Sequence, residues 1–113
     1  MATPTTLRVA DDAHQLALEV YPITENFPRP ETYGLRAQMR AAAVAVAGNL
    51  GGHAGRTPAR FAAAALGSAG ELRCQTFIAR ELGYLEPGIA EALEARITEV
   101  RTVLATLGPR GRQ

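Results

Sequence analysis

Apolar positions recur along this chain at steps of three and four. The first run reads Val9, Ala13, Leu16, Val20, Ile23, Phe27, which is one stripe of an amphipathic helix. Pro22 falls inside it and removes a backbone bond, so a kink or an early end is expected there. The Phe27-Pro28-Arg29-Pro30 stretch closes the helix, because a residue before proline is pushed towards extended geometry. A second stripe, Leu35, Met39, Ala42, Val46, Leu50, has Ala43 beside it and fades into Gly48, Gly51, Gly52 and Gly55. Thr57-Pro58 reads as a helix start. The third stripe takes Phe61, Ala65, Ser68, Leu72, Gln75 and Leu82, with Gly83 just past its end. Pro87 opens the last and cleanest pattern, Ile89, Leu93, Ile97, Val100, Leu104, Leu107, which Gly108-Pro109 ends.

The pattern predicts four helices, at about 9–27, 30–51, 58–82 and 87–107, in one unit over 9–107. Residues 1–8 read as a flexible lead-in and 108–113 as a loose tail. Short connections between four helices make the expected fold all-α, an antiparallel up-down-up-down four-helix bundle. No stretch alternates with period two over a useful length, so strands are not expected.

Composition adds two points. The 113 residues fit one domain, and much of the apolar content is alanine, with no Trp. Alanine favours helix but buries little area, so the core is thin, and burial between copies of the chain is expected. The single cysteine, Cys74, excludes an internal disulfide and reads as a small buried hydrophobe. No signal-peptide pattern opens the chain, and no apolar run approaches the ~20 residues of a membrane span, so a cytoplasmic location is expected.

The net charge of +1 hides an uneven distribution. Between Arg29 and Arg80 seven arginines face two acids, Glu31 and Glu71, a local +5. The flanks carry acids: Asp11, Asp12, Glu19 and Glu25 before, and the stretch Glu81 to Glu99 after. Arg36 and Arg40 share a helix face, with Arg29 ahead of them and Arg56 and Arg60 around the following turn. These five form a candidate strip for phosphate contact. The charge pattern equally fits a solvated face neutralised by the acids of a neighbouring subunit.

Glu71 is the lone acid of the third helix interior. A buried carboxylate needs a partner, so Asn49, Ser68 and Glu71 are expected to form a structural polar network, with Arg40 as a further partner. No second acid shares that helix face to complete a general acid–base pair, so no catalytic role and no enzyme activity are expected. Asp11 and His14 make an Asp-x-x-His pair, and His53 lies elsewhere. The ligand count of a di-iron bundle fails, so neither a metal nor a cofactor is expected. The Gly48 to Arg56 stretch lacks the Lys-Ser/Thr ending of a phosphate loop. Tyr21, Tyr33 and Tyr84 flank helix ends and read as packing residues.

The order of local signals resembles a known family. It is carried by Glu19-Val20-Tyr21-Pro22-Ile23-Thr24, Phe27-Pro28, Glu31-Thr32-Tyr33-Gly34-Leu35 and Gln38-Met39-Arg40-Ala41-Ala42-Ala43-Val44. Asn49-Leu50, Gly55-Arg56, Ala65-Leu66-Gly67-Ser68, Glu71-Leu72 and Leu82-Gly83-Tyr84-Leu85 continue it. In order and without gaps, from about Leu7 to Leu107, this set is similar to the four-helix bundle proteins called 23S ribosomal RNA intervening-sequence proteins. The resemblance implies a ring-like homopentamer. It also implies kinship in fold with the accessory variability proteins of diversity-generating retroelements, which bind nucleic acid and a reverse transcriptase. RNA or DNA, a reverse transcriptase and further copies of the chain are therefore the expected partners. The alternative is a protein–protein scaffold whose charged faces seal subunit interfaces. The chain departs from the family pattern where an Asn-Ile-Ala-Glu-Gly stretch is usual: Gly52 replaces its glutamate and His53 its glycine. Ala10 stands for a family Trp, and Ala45 and Ala47 for a Ser and a Pro. No role tied to that glutamate carries over.

Overall fold

The computed structural model describes residues 4–51 and 58–107. Four helices and one short 3₁₀ turn account for it: α1 Pro4–Thr24, the turn Arg29–Glu31, α2 Leu35–Gly51, α3 Ala59–Glu81 and α4 Pro87–Leu107. The described residues contain no strand, and no helix among them is long and apolar enough to cross a membrane. Consecutive helices pack on one another, and α4 also meets α1, in the loosest of the four seams.

Two boundaries differ from the sequence pattern. Helix α1 begins at Pro4, not near Val9. Nothing between Pro4 and Val9 breaks a helix, proline is tolerated in a first turn, and Thr6 is buried in line with Val9 and Ala13. Helix α2 begins at Leu35, not at Pro30. The residues after Pro28 form a 3₁₀ turn, in which Glu31 N–H donates to the Pro28 carbonyl at 2.8 Å and Thr32 N–H to that of Arg29 at 3.0 Å. The α-helical ladder opens where Gln38 N–H donates to the Gly34 carbonyl at 2.9 Å. The Glu31 carboxylate takes the Leu35 N–H at 3.1 Å, one of the donors that a helix start leaves without a backbone acceptor.

One core draws on all four helices. Helix α1 gives Val9, Ala13, Leu16 and Val20; α2 gives Leu35, Met39, Ala42, Ala43, Val46 and Leu50. Helix α4 gives Leu93, Ile97, Val100 and Leu104. Helix α3 gives mostly alanine: Ala62, Ala65, Ala69 and Ala79 around Leu72, with Gln75 and Thr76. Leu82, expected on the buried face, is 55% exposed instead. Its position falls at the helix end, where Gly83 at φ 79° reverses the chain. The reversal carries the Tyr84 N–H onto the Ala79 carbonyl and the Gly83 N–H onto that of Arg80, a Schellman closure. Leu85 then returns to the core while Leu82 faces outward.

Candidate functional site

Pro22 lies in the last turn of α1 and has no N–H for the Leu18 carbonyl. Glu25 N–H, the next donor for the Tyr21 carbonyl, turns to the Pro22 carbonyl instead, at 3.3 Å. A helix C-terminus concentrates such bare carbonyls and the negative end of the macrodipole, and both favour a cation. Helix α2 supplies one. Arg40 donates from Nη2 to the Tyr21 carbonyl at 3.0 Å and from Nε to Thr24 Oγ1 at 2.9 Å. Its Nη2 also meets Glu25 Oε2 at 2.9 Å, and its guanidinium lies 4.7 Å over the Tyr21 ring. Arg36 reaches the same Glu25 oxygen at 3.3 Å. The buried Thr24 hydroxyl donates back to the Val20 carbonyl at 2.8 Å, so it accepts from Arg40 while closing its own turn.

A second cluster ties this corner to the α3–α4 connection. Glu31 caps Leu35 with one carboxylate oxygen and accepts the Tyr84 phenol on the other at 2.9 Å. A Cβ at Gly34 would lie 2.7 Å from the capping oxygen, so a side chain there competes with the cap. The Tyr84 ring packs on buried Phe27, centroids 5.4 Å apart. Its hydrogen bond to the Glu31 carboxylate holds the Tyr84 phenol above its ordinary pKa, and desolvation and the carboxylate charge add to the effect. The folded chain therefore keeps this proton to higher pH than the unfolded chain does. The stability that follows is complete below about pH 10 and is lost as pH rises through the folded pKa. Thermal melts of Tyr84→Phe are expected to lose that alkaline fall, while the parent keeps it; parallel alkaline limbs would contradict this.

The five candidate arginines do not form one strip. Arg36 and Arg40 are engaged with Glu25, their side chains 23% and 18% exposed. Arg29 is exposed on the 3₁₀ turn and Arg60 is exposed in the first turn of α3, where it stacks 4.9 Å from the Phe61 ring. Neither enters an ion pair among the described residues. Arg60 follows the far end of α2 from Arg36, and the rise from Arg36 to Gly51 is about 23 Å. Arg56 lies outside the described residues, as do Gly52 and His53.

The polar network is corrected. Asn49 donates to the Ala45 carbonyl in its own helix at 2.8 Å, and Glu71 is exposed, accepting from Gln75 at 3.4 Å. No hydrogen bond among the described residues joins Asn49, Ser68 and Glu71; Glu71 points outward and never faces the desolvation that would demand a partner. Cys74 is exposed, not buried, one turn along the same face. Tyr33 is 95% exposed and has no ring partner among the described residues, unlike Tyr84. The described residues contain no cluster of three His, Cys, Asp or Glu able to hold a metal. The residues that sequence reading missed are Tyr21, Thr24, Glu25 and the Glu31–Tyr84 pair. The Pro22 and Pro28 pair was the available signal: together they end α1 near Thr24, and a helix end leaves carbonyls such as that of Tyr21 to be satisfied from outside the helix.

A family model for the 23S rRNA-intervening sequence protein matches residues 5–106. The chain belongs to this family. No curated protein matches it significantly. Many of the residues that carry the family likeness meet at the corner just described. In 23S rRNA-intervening sequence protein terms, Tyr21-Pro22-Ile23-Thr24 forms the α1 terminus that Arg40 closes. Phe27, Glu31, Gly34, Leu35 and Tyr84 make the cap and ring contact beside it. The positions departing from the family pattern on helices, Ala10, Ala45 and Ala47, are all half-buried.

Proposed function

We propose that this member of the intervening-sequence family is a non-catalytic, self-assembling up-down-up-down four-helix bundle that contacts RNA or DNA through its unpaired arginines. The topology is supported by the side-chain links: Arg40 of α2 reaches the last turn of α1, Arg80 near the end of α3 lies 3.7 Å from Glu94 of α4, and Arg96 of α4 meets Glu19 of α1 at 2.6 Å. The observation that carries the binding reading is the split among the basic residues. Among the described residues Arg29 and Arg60 stay exposed without a carboxylate partner, whereas Arg36 and Arg40 are consumed in holding α1 to α2. In an assembly such as the pentamer the resemblance implies, weak contacts repeat and gain by avidity. Fluorescence anisotropy of a labelled single-stranded RNA tests it. Binding at low salt that weakens linearly in log affinity against log salt is expected; no binding at low salt would sink the reading.

A second reading, a protein–protein scaffold, is favoured by the exposed acids Glu71 and Glu81, which enter no ion pair among the described residues. It predicts an oligomer that dissociates in salt and ignores nucleic acid.

A further inference from the structure

From Ala41 to Gly51, α2 carries no charged side chain, and Asn49 is its one polar residue. A helix that is apolar all round has two faces to bury. The core takes Ala42, Ala43, Val46 and Leu50. On the other face Ala41, Val44 and Gly48 are exposed, Val44 by 47%. Helix α1 sets Leu18 and Tyr21 beside them, 54% and 44% exposed. Leu18, Tyr21 and Val44, over Ala17, Ala47 and Gly48, line a groove of about 390 Å³. Single exposed leucines need no explanation, but a contiguous apolar groove marks an interaction surface.

The same chain carries an apolar feature of the opposite shape. Ile78 and Leu82, one turn apart on α3, are 46% and 55% exposed and form a ridge that Cys74 continues by another turn. Exposed acids flank the ridge: Glu71 and Glu81, neither in an ion pair among the described residues. The groove has a basic margin instead: Arg40 stacks over Tyr21, and it and Arg36 share the single carboxylate of Glu25, a net positive charge. Shape and charge are thus complementary between two different patches of one chain.

We propose that the α3 ridge of one copy seats in the α1–α2 groove of another. The inference rests on the self-assembly half of the proposed function. Because the two patches differ, the contact is head-to-tail and closes into a ring or extends into a filament. Groove-to-groove pairing would leave Ile78 and Leu82 in water.

Cys74 is a built-in reporter on the ridge. Ala41→Cys, Val44→Cys and Gly48→Cys, each made singly in the full chain, place a second thiol along the exposed face of α2 in or beside the groove. A disulfide forms only between Cα atoms within about 7 Å, so a bond reports juxtaposition. Mild oxidation is expected to link Cys74 to at least one groove cysteine. Non-reducing gels should then show a ladder beyond the dimer, since every chain offers both halves, and peptide mass should identify the mixed disulfide. Bonds only between two groove cysteines, stopping at dimers, would overturn the proposal, as would the absence of any mixed disulfide. Light scattering of the unaltered chain separates the two failures. A monomer at all concentrations overturns self-assembly itself, whereas an oligomer without mixed disulfides overturns only the groove–ridge contact.

Discussion

Leu72→Ala is expected to lower the free energy of unfolding by about 3 kcal/mol, the middle of the range for a leucine truncated in a packed core. Leu72 is the one large apolar side chain that α3 buries, at 0% exposure; the rest of its inner face is alanine with Gln75 and Thr76. Removing it leaves half-buried Leu66 as the longest aliphatic side chain that α3 packs against the core. Small domains are stable by roughly 5–15 kcal/mol, so this one truncation takes a large share. Leu72→Met, which keeps the volume, should cost less than about 1.5 kcal/mol. Urea unfolding followed by far-ultraviolet circular dichroism measures both. A Leu72→Ala loss below about 1 kcal/mol would mean that α3 is held by something other than this side chain.

Arg40→Met is expected to cost about 2 kcal/mol, in the range of hydrogen bonds made by charged groups. Methionine keeps much of the aliphatic stem but removes the donors to the Tyr21 carbonyl and the Thr24 hydroxyl. The ion pair with Glu25 contributes little, because the Glu25 side chain is 62% exposed and water screens the charge. Glu25→Gln should therefore cost under about 1 kcal/mol, with Arg40→Met the larger of the two by a clear margin. Equal losses would show that the ion pair, not the closure of the α1 terminus, is what Arg40 supplies.

These expectations mark what the sequence exposes. The four helices are legible because the inward stripes of α1, α2 and α4 keep helical period and bulk. Helix α3 is harder to read, since alanine occurs on both its faces and blurs inside from outside. That is why Leu82 and Cys74 read as buried. The start of α2 is illegible locally: Pro30 is compatible with a first helical turn, and only the tertiary link from Glu31 to Tyr84, 53 positions away, fixes the carboxylate that caps Leu35. Charge counting finds the basic middle segment but cannot sort its members. Arg29 and Arg40 look alike in sequence. They differ because the last turn of α1 sets the Tyr21 carbonyl and the Thr24 hydroxyl within reach of Arg40, while Arg29 enters no ion pair among the described residues. Glu71 failed as a network member for the complementary reason, since its face of α3 is the outward one.

The arginines divide into a structural pair, Arg36 and Arg40, and an exposed pair, Arg29 and Arg60, without a carboxylate among the described residues. This division is tested most directly by the slope of log affinity for single-stranded RNA against log salt concentration. With Arg29 and Arg60 both changed to Ala, the slope is predicted to shrink by about 1.4, the release of two counterions' worth on a single strand. With Arg40→Gln the slope should stay that of the parent under conditions where the variant is folded. A slope that falls for Arg40→Gln and not for the Arg29/Arg60 pair would contradict it.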